Sequence, residues 1–101
     1  MPQTHHVYGE VSSKTDLKHV FLAIRGNVDK ARSRESLTEL YKRAGYLIAL
    51  THAPSWKESF GRKAGELRKT AEAEFGTTAR KINRQARSIG TDANYDEKWG
   101  D

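Results

Sequence analysis

Hydrophobic residues recur at helical spacing along most of this chain. Apolar side chains follow one another at intervals of three and four residues, which places them on one face of an α-helix. This spacing, combined with local start and stop signals, predicts four helices. Their predicted ranges are 17–30, 37–52, 56–75 and 79–89.

Capping residues, glycine and proline set the predicted limits of these helices. Ser36 and Ser55 each open a capping box, in which a hydroxyl and a carboxylate satisfy free backbone N–H groups of the first turn. Pro54 disfavours helical geometry in the residue before it, so the second helix is expected to end near His52. Gly76 and Gly90 are expected to close the third and fourth helices, since glycine readily takes the left-handed conformation that follows a helix.

The predicted fold is all-α, a compact bundle of about four helices. A chain of 101 residues supports one hydrophobic core, so a single helical domain is expected over residues 14–90. Residues 1–13 show no helical period and are interpreted as a short N-terminal arm. Residues 91–101 form a polar, acidic tail with few apolar anchors, which we expect to be mobile. Within the second helix a nearly apolar run predicts that Leu47 and Ile48 are buried.

Several classes of protein are disfavoured by what the sequence lacks. It has no cysteine, which excludes disulfides and thiolate metal sites. The longest nearly apolar run, residues 44–50, is far short of the roughly 20 residues of a membrane span. The four histidines show no metal-ligand spacing, and no nucleophile turn or glycine-rich phosphate loop is found. We therefore expect a cytoplasmic protein that is not an enzyme, with no catalytic residues, cofactor, metal site or membrane partner.

Charge is distributed unevenly along the chain, and this is its most informative feature. The formal net charge is +5. Residues 57–90 carry a net +5 and residues 91–101 a net −3, while four cations and no acid lie between Gly76 and Gly90. Such a basic segment indicates a polyanionic or acidic partner. The alternative is a solvated basic face that serves only solubility.

Residues 71–89 read AEAEFGTTARKINRQARSI. This segment resembles the helix-turn-helix of bacterial repressors, in which a glycine opens the turn before the recognition helix. In that resemblance Gly76 is the turn glycine, Phe75 the apolar residue before it, and Ile82 the buried residue that packs the two helices together. The resemblance implies that six residues lie at the DNA face. They are Thr77, Thr78, Arg80, Lys81, Arg84 and Arg87.

The same residues also fit a plain helical hairpin, or one long helix kinked at Gly76, whose charged side chains face water. Two functions are therefore predicted. The first is a small non-enzymatic nucleic-acid-binding protein, a regulator or accessory factor that uses its basic C-terminal helix. The second is a helical protein–protein interaction module, such as an inhibitor, an antitoxin-like partner or an assembly factor, able to form a homodimer. The sequence leaves open whether the partner is DNA, RNA or protein.

Overall fold

A computed structural model describes residues 13–98 and confirms the all-α bundle. In this range the chain forms four helices and no strand. The predicted N-terminal arm, apart from Ser13, lies outside the described residues, as do residues 99–101. The helices are α1 (Lys14–Val28), α2 (Arg34–Leu50), α3 (Pro54–Phe60) and α4 (Lys63–Ser88).

Serine side chains cap the first two helices. The Ser13 hydroxyl oxygen accepts a hydrogen bond from the backbone N–H of Asp16 at 3.0 Å and so starts α1. Ser33 caps α2 in the same way, accepting from the N–H of Ser36 at 3.1 Å. The predicted cap at Ser36 is therefore wrong, because an equally suitable serine stands one turn earlier. Deeper in α2, Leu47 and Ile48 are buried as predicted.

The predicted helix over residues 56–75 is broken at Gly61. This glycine has a φ of 53°, a conformation that residues with a Cβ rarely adopt, and it separates α3 from α4. The change of chain direction at Gly61 places Trp56 against the start of α4. Its indole Nε1 donates there to the carbonyl oxygen of Ala64 at 3.3 Å. Pro54, which needs no N–H partner in the first turn, opens α3, so the cap predicted at Ser55 is also wrong.

Helix α4 runs without interruption through Gly76. The turn predicted after Phe75 and the separate helix over 79–89 are therefore wrong, and residues 71–88 belong to one helix. Glycine costs about 1 kcal/mol in a helix interior, less than burying the large apolar side chains on both sides of it contributes. The buried apolar stripe crosses Gly76 without a change of phase. It consists of Ala64, Leu67, Ala71, Phe75, Ala79, Ile82 and Ala86.

The other long helices pack on this stripe in opposite directions. Lys14 pairs with Glu66 and Asp29 with Lys81, so α1 runs parallel to α4. Helix α2 runs antiparallel to α4, since the Thr51 carbonyl at its end accepts from Nε of Arg68 near the start of α4. The 26 residues of α4 span about 39 Å, and this helix accounts for most of the molecule's longest dimension of 43 Å.

Residues 91–98 of the acidic tail pack on the helical body. Tyr95 lies against Tyr41 of α2, with ring centroids 4.8 Å apart, and its hydroxyl shares a hydrogen bond of 2.8 Å with the Thr38 hydroxyl. Hydrogen bonds thus add to the few apolar contacts of the segment, and residues beyond Gly90 are in contact with the body.

Candidate nucleic-acid interface

Four of the six predicted contact residues share one exposed side of α4. Thr77, Arg80, Arg84 and Arg87 follow one another at intervals of three and four residues, which makes them neighbours on the helix surface. All four are exposed. We call the surface formed by Arg80, Arg84 and Arg87 the arginine face.

Thr78 does not belong to this surface. Its side chain is fully buried, and its hydroxyl oxygen accepts a hydrogen bond from Nη1 of Arg25 at 3.1 Å. The same Nη1 lies 2.8 Å from Oε1 of Glu74, so a guanidinium of α1 links two residues of α4. The structure therefore places Thr78 between α1 and α4, buried, and not on the exposed side of α4 where the predicted contact surface lies.

Lys81 lies at the edge of the arginine face, on the side of α1. Its ammonium is 3.2 Å from Oδ2 of Asp29, at the C-terminal end of α1, and its side chain is about one third exposed. Part of its charge is already compensated within the protein. A residue 52 positions away supplies that compensation, which local sequence patterns do not show.

Arg80 borders the docked tail. Its Nη2 donates to the Thr77 hydroxyl oxygen at 3.3 Å. Together with Asp96, Glu97 and Lys98 it lines a shallow cavity of about 330 Å³. The tail thus places two carboxylates and one ammonium beside the first arginine of the face.

Arg84 and Arg87 are the strongest candidates for contact with an anionic ligand. Both side chains are exposed and stand one helical turn apart. Among the residues that the structure describes, neither has an ion pair or a hydrogen bond. Two like charges at this spacing repel one another, so a bound polyanion would relieve an unfavourable interaction.

Asn83 is a positioning residue that the sequence analysis missed. It is 3% exposed and holds the tail by both ends of its amide. Its Nδ2 donates to the Tyr95 carbonyl oxygen at 2.9 Å and to Oε2 of Glu97 at 3.2 Å, while its Oδ1 accepts from the Tyr95 N–H at 2.8 Å. An asparagine between two apolar positions of an amphipathic helix is a signal that a buried polar partner exists, although it does not identify that partner.

Gly76 contributes to the same docking site. A Cβ at this position would lie 3.4 Å from the carbonyl oxygen of Glu97, an ordinary van der Waals distance, so Gly76 lies directly against the tail. Beside it, Tyr41 donates from its hydroxyl to the Asp96 carbonyl oxygen at 2.9 Å. Burial raises the pKa of Tyr41 above its ordinary value, and the charge of Asp96 raises it further.

Two further properties of the described range bear on function. Over residues 13–98 no cluster of three or more histidine, aspartate or glutamate side chains is arranged to hold a metal ion. Within the same part of the chain, no helix is both long and apolar enough to cross a membrane. His5 and His6 lie outside the described residues.

Known proteins offer no match to this chain. Neither protein-family models, nor curated proteins, nor solved structures resemble it significantly. The function of this protein must therefore be inferred from the site itself.

Proposed function

We propose that this protein binds nucleic acid, without catalysing a reaction, through the arginine face of α4. The observation that carries the proposal is the state of Arg84 and Arg87, exposed one turn apart with no acidic partner among the described residues. Guanidinium groups are well shaped for paired hydrogen bonds to phosphate. A bound polyanion displaces its own counterions at such a surface, and their release supplies affinity.

The mode of binding differs from that of a helix-turn-helix. Because α4 is continuous, it offers no separate recognition helix held at an angle to a supporting helix. The arginine face follows a single straight helix, and the proposed contacts are with phosphates. Contacts of this kind position a protein on nucleic acid without reading its sequence. A role as an accessory factor in the cytoplasm fits this mode better than that of a sequence-specific repressor.

Salt-dependent binding tests the proposal. Fluorescence anisotropy of a labelled random-sequence oligonucleotide is measured over a range of salt concentrations for the wild type and for Arg84→Gln/Arg87→Gln. If both arginines contact phosphates, the variant binds more weakly and its salt dependence flattens by about one unit of slope per lost contact. Its stability should change by less than about 0.5 kcal/mol per substitution, because both side chains are exposed.

A matched control removes the same charge at the other end of α4. Lys57 and Arg62 are exposed cations before the start of that helix. Lys57→Gln/Arg62→Gln has the same net charge as the arginine variant, so any effect of total charge is equal in the two proteins. Equal affinity of the two variants would contradict the proposal.

The alternative function, a helical protein–protein interaction module able to form a homodimer, has weaker support. In residues 13–98 the large hydrophobic side chains that remain exposed are Leu22 and Tyr46. A stable interface usually has an apolar core of several residues that becomes fully buried. Light scattering, which measures the mass in solution, together with nucleic-acid binding at low salt, decides between the two functions. A stable dimer that does not retain nucleic acid at low salt would favour the interaction module.

A further inference from the structure

A second surface of the molecule combines cations with an exposed aromatic ring. An open groove of about 670 Å³ lies between the end of α1 and the first part of α2. This volume is within the range of sites that hold small ligands or parts of larger ones. Ala31 and Leu40 are the apolar residues in its lining, and no residue of α4 takes part.

The walls of the groove are suited to an anion that carries a flat ring. Arg43 and Tyr46 stand one turn apart on α2, and Lys30 follows the end of α1. Arg43 and Lys30 are exposed and have no ion pair within the described residues. Tyr46 is 55% exposed, so its ring is accessible to a ligand.

The other charges of the groove nearly cancel. Glu39 and Lys42 also line it, and their side chains are 3.9 Å apart, so each offsets the other. The surplus charge is therefore positive and comes from Lys30 and Arg43. This positive charge favours an anionic ligand over a cationic or purely apolar one.

The groove opens beside the end of α4 that carries the arginine face. The carbonyl oxygen of Ala31, which lines the groove, accepts a hydrogen bond of 2.8 Å from Nε2 of Gln85. Gln85 is the neighbour of Arg84 along α4. Asp29, two residues before Ala31, pairs with Lys81. The connection between α1 and α2, which lines the groove, is therefore joined to the same part of α4 that carries the arginine face.

We infer that the groove binds an unpaired nucleotide of a single-stranded nucleic acid, whose base stacks on Tyr46 and whose phosphate lies between Arg43 and Lys30. This inference rests on the proposed function and narrows it, since a duplex keeps its bases stacked inside and presents only phosphates to the groove. Base stacking on an aromatic side chain adds affinity for single strands of any sequence.

Probes that differ only in their bases test the inference. The wild type and Tyr46→Ala are titrated with a fluorescent oligothymidylate, with an abasic strand of the same length, and with a duplex. The loss of one stacked base should weaken oligothymidylate binding by roughly tenfold. Binding of the abasic strand and of the duplex should stay within about twofold, because neither places a base on the ring.

Two control variants identify the contribution of the ring. Tyr46→Phe keeps the aromatic face and should bind oligothymidylate like the wild type. Leu22→Ala removes an exposed hydrophobic side chain of similar exposure, 57%, that does not line the groove, and should also bind like the wild type. Thermal melts of all three variants verify the fold. If Tyr46→Ala is destabilised, Tyr46→Leu, which keeps a bulky side chain without an aromatic face, replaces it in the comparison of oligothymidylate with the abasic strand.

The results separate the two proposals. If Arg84→Gln/Arg87→Gln weakens the binding of all three probes while Tyr46→Ala leaves oligothymidylate binding unchanged, the proposed function stands and the groove inference is wrong. An equal loss on the abasic strand would also overturn the inference, because it would show that Tyr46 does not act through a base. If the arginine variant binds like its control but Tyr46→Ala weakens the binding of oligothymidylate alone, the proposed role of the arginine face is wrong. The groove alone is then the binding site. A wild type that retains no probe overturns both.

Discussion

The two ends of α4 are covered by short segments that are held by different chemistry. At its beginning α3 buries the indole of Trp56, which is the largest fully buried side chain in the described range, and Phe60 packs on it with ring centroids 4.4 Å apart. Near its other end, residues 91–98 are held by the amide of Asn83 and by the hydroxyl of Tyr95.

The two kinds of contact differ in how much they stabilise the fold and in how closely they fix the position of the segment. Burial of a large aromatic side chain contributes several kcal/mol but tolerates small shifts of the partner. Hydrogen bonds contribute about 1 kcal/mol each and fix the register of the segment that they hold. We therefore expect the α3 end to supply stability and the tail end to supply position. Four substitutions test this difference between the two ends of α4.

The largest effect is expected for Trp56→Ala. Removing a fully buried indole should cost about 3 to 5 kcal/mol of the free energy of unfolding, since the cavity lies where α3, α4 and the core meet. Urea denaturation followed by circular dichroism measures this loss. The exposed neighbour Lys57 provides the control, because Lys57→Ala should change stability by less than about 0.5 kcal/mol. A comparable loss in the two variants would mean that α3 is not a structural anchor.

Asn83→Ala should have a smaller effect on stability and a specific effect on the tail. Loss of the amide leaves the partly buried peptide groups of Tyr95 without these partners, which should cost about 1 to 3 kcal/mol. Hydrogen exchange of the Tyr95 amide should accelerate more than that of amides in α1. Ser88→Ala, an exposed change on the same helix, should leave both unchanged. If the Tyr95 amide already exchanges freely in the wild type, the tail is not docked in solution.

Tyr95→Phe should have a smaller effect again. The ring that packs on Tyr41 remains, and only the hydrogen bond with Thr38 is lost, so the expected cost is about 0.5 to 1.5 kcal/mol. Chemical denaturation measures it, with the exposed Tyr46→Phe as the matched control. If Tyr95→Phe proves as costly as Asn83→Ala, the Thr38 contact holds the tail as firmly as the amide does.

The smallest effect concerns pH. The pKa of Tyr41 is raised in the folded protein from its ordinary 10.0, mainly by burial. The folded state therefore keeps this proton more firmly than the unfolded state, and stability contributed by the neutral phenol is lost as pH rises above 10. Denaturation at rising pH should show a shallower decline for Tyr41→Phe than for the wild type. An equal decline would show that burial and the charge of Asp96 do not restrict ionisation of Tyr41 in the folded protein.

Much of the candidate site could be predicted from the sequence. The errors of that prediction have physical causes. The basic segment between Gly76 and Gly90 was evident, and Arg84 and Arg87 are exposed as the prediction requires. Thr78 was misassigned because the predicted turn at Gly76 would have brought it to the surface. In a continuous helix the same residue lies close to the buried stripe, and its hydroxyl is used by Arg25.

The sequence by itself determined the helical class, the apolar faces on the two sides of Gly76 that lie buried in α4, and the burial of Leu47 and Ile48. These features depend on the period of the helix, which any run of residues displays locally. The sign of the charge on the last part of α4 is equally a local property. None of these features requires knowledge of which segments meet.

Only the tertiary structure decided whether Gly76 marks a turn, how Lys81 is compensated, and where residues 91–98 lie. Each of these depends on partners far along the chain, such as the pair Asp29–Lys81 and the clamp of Asn83 on Tyr95. A glycine's local preference against the helix amounts to about 1 kcal/mol. Burial of the apolar side chains on both sides of Gly76 outweighs it, so packing and not the local signal sets the course of α4.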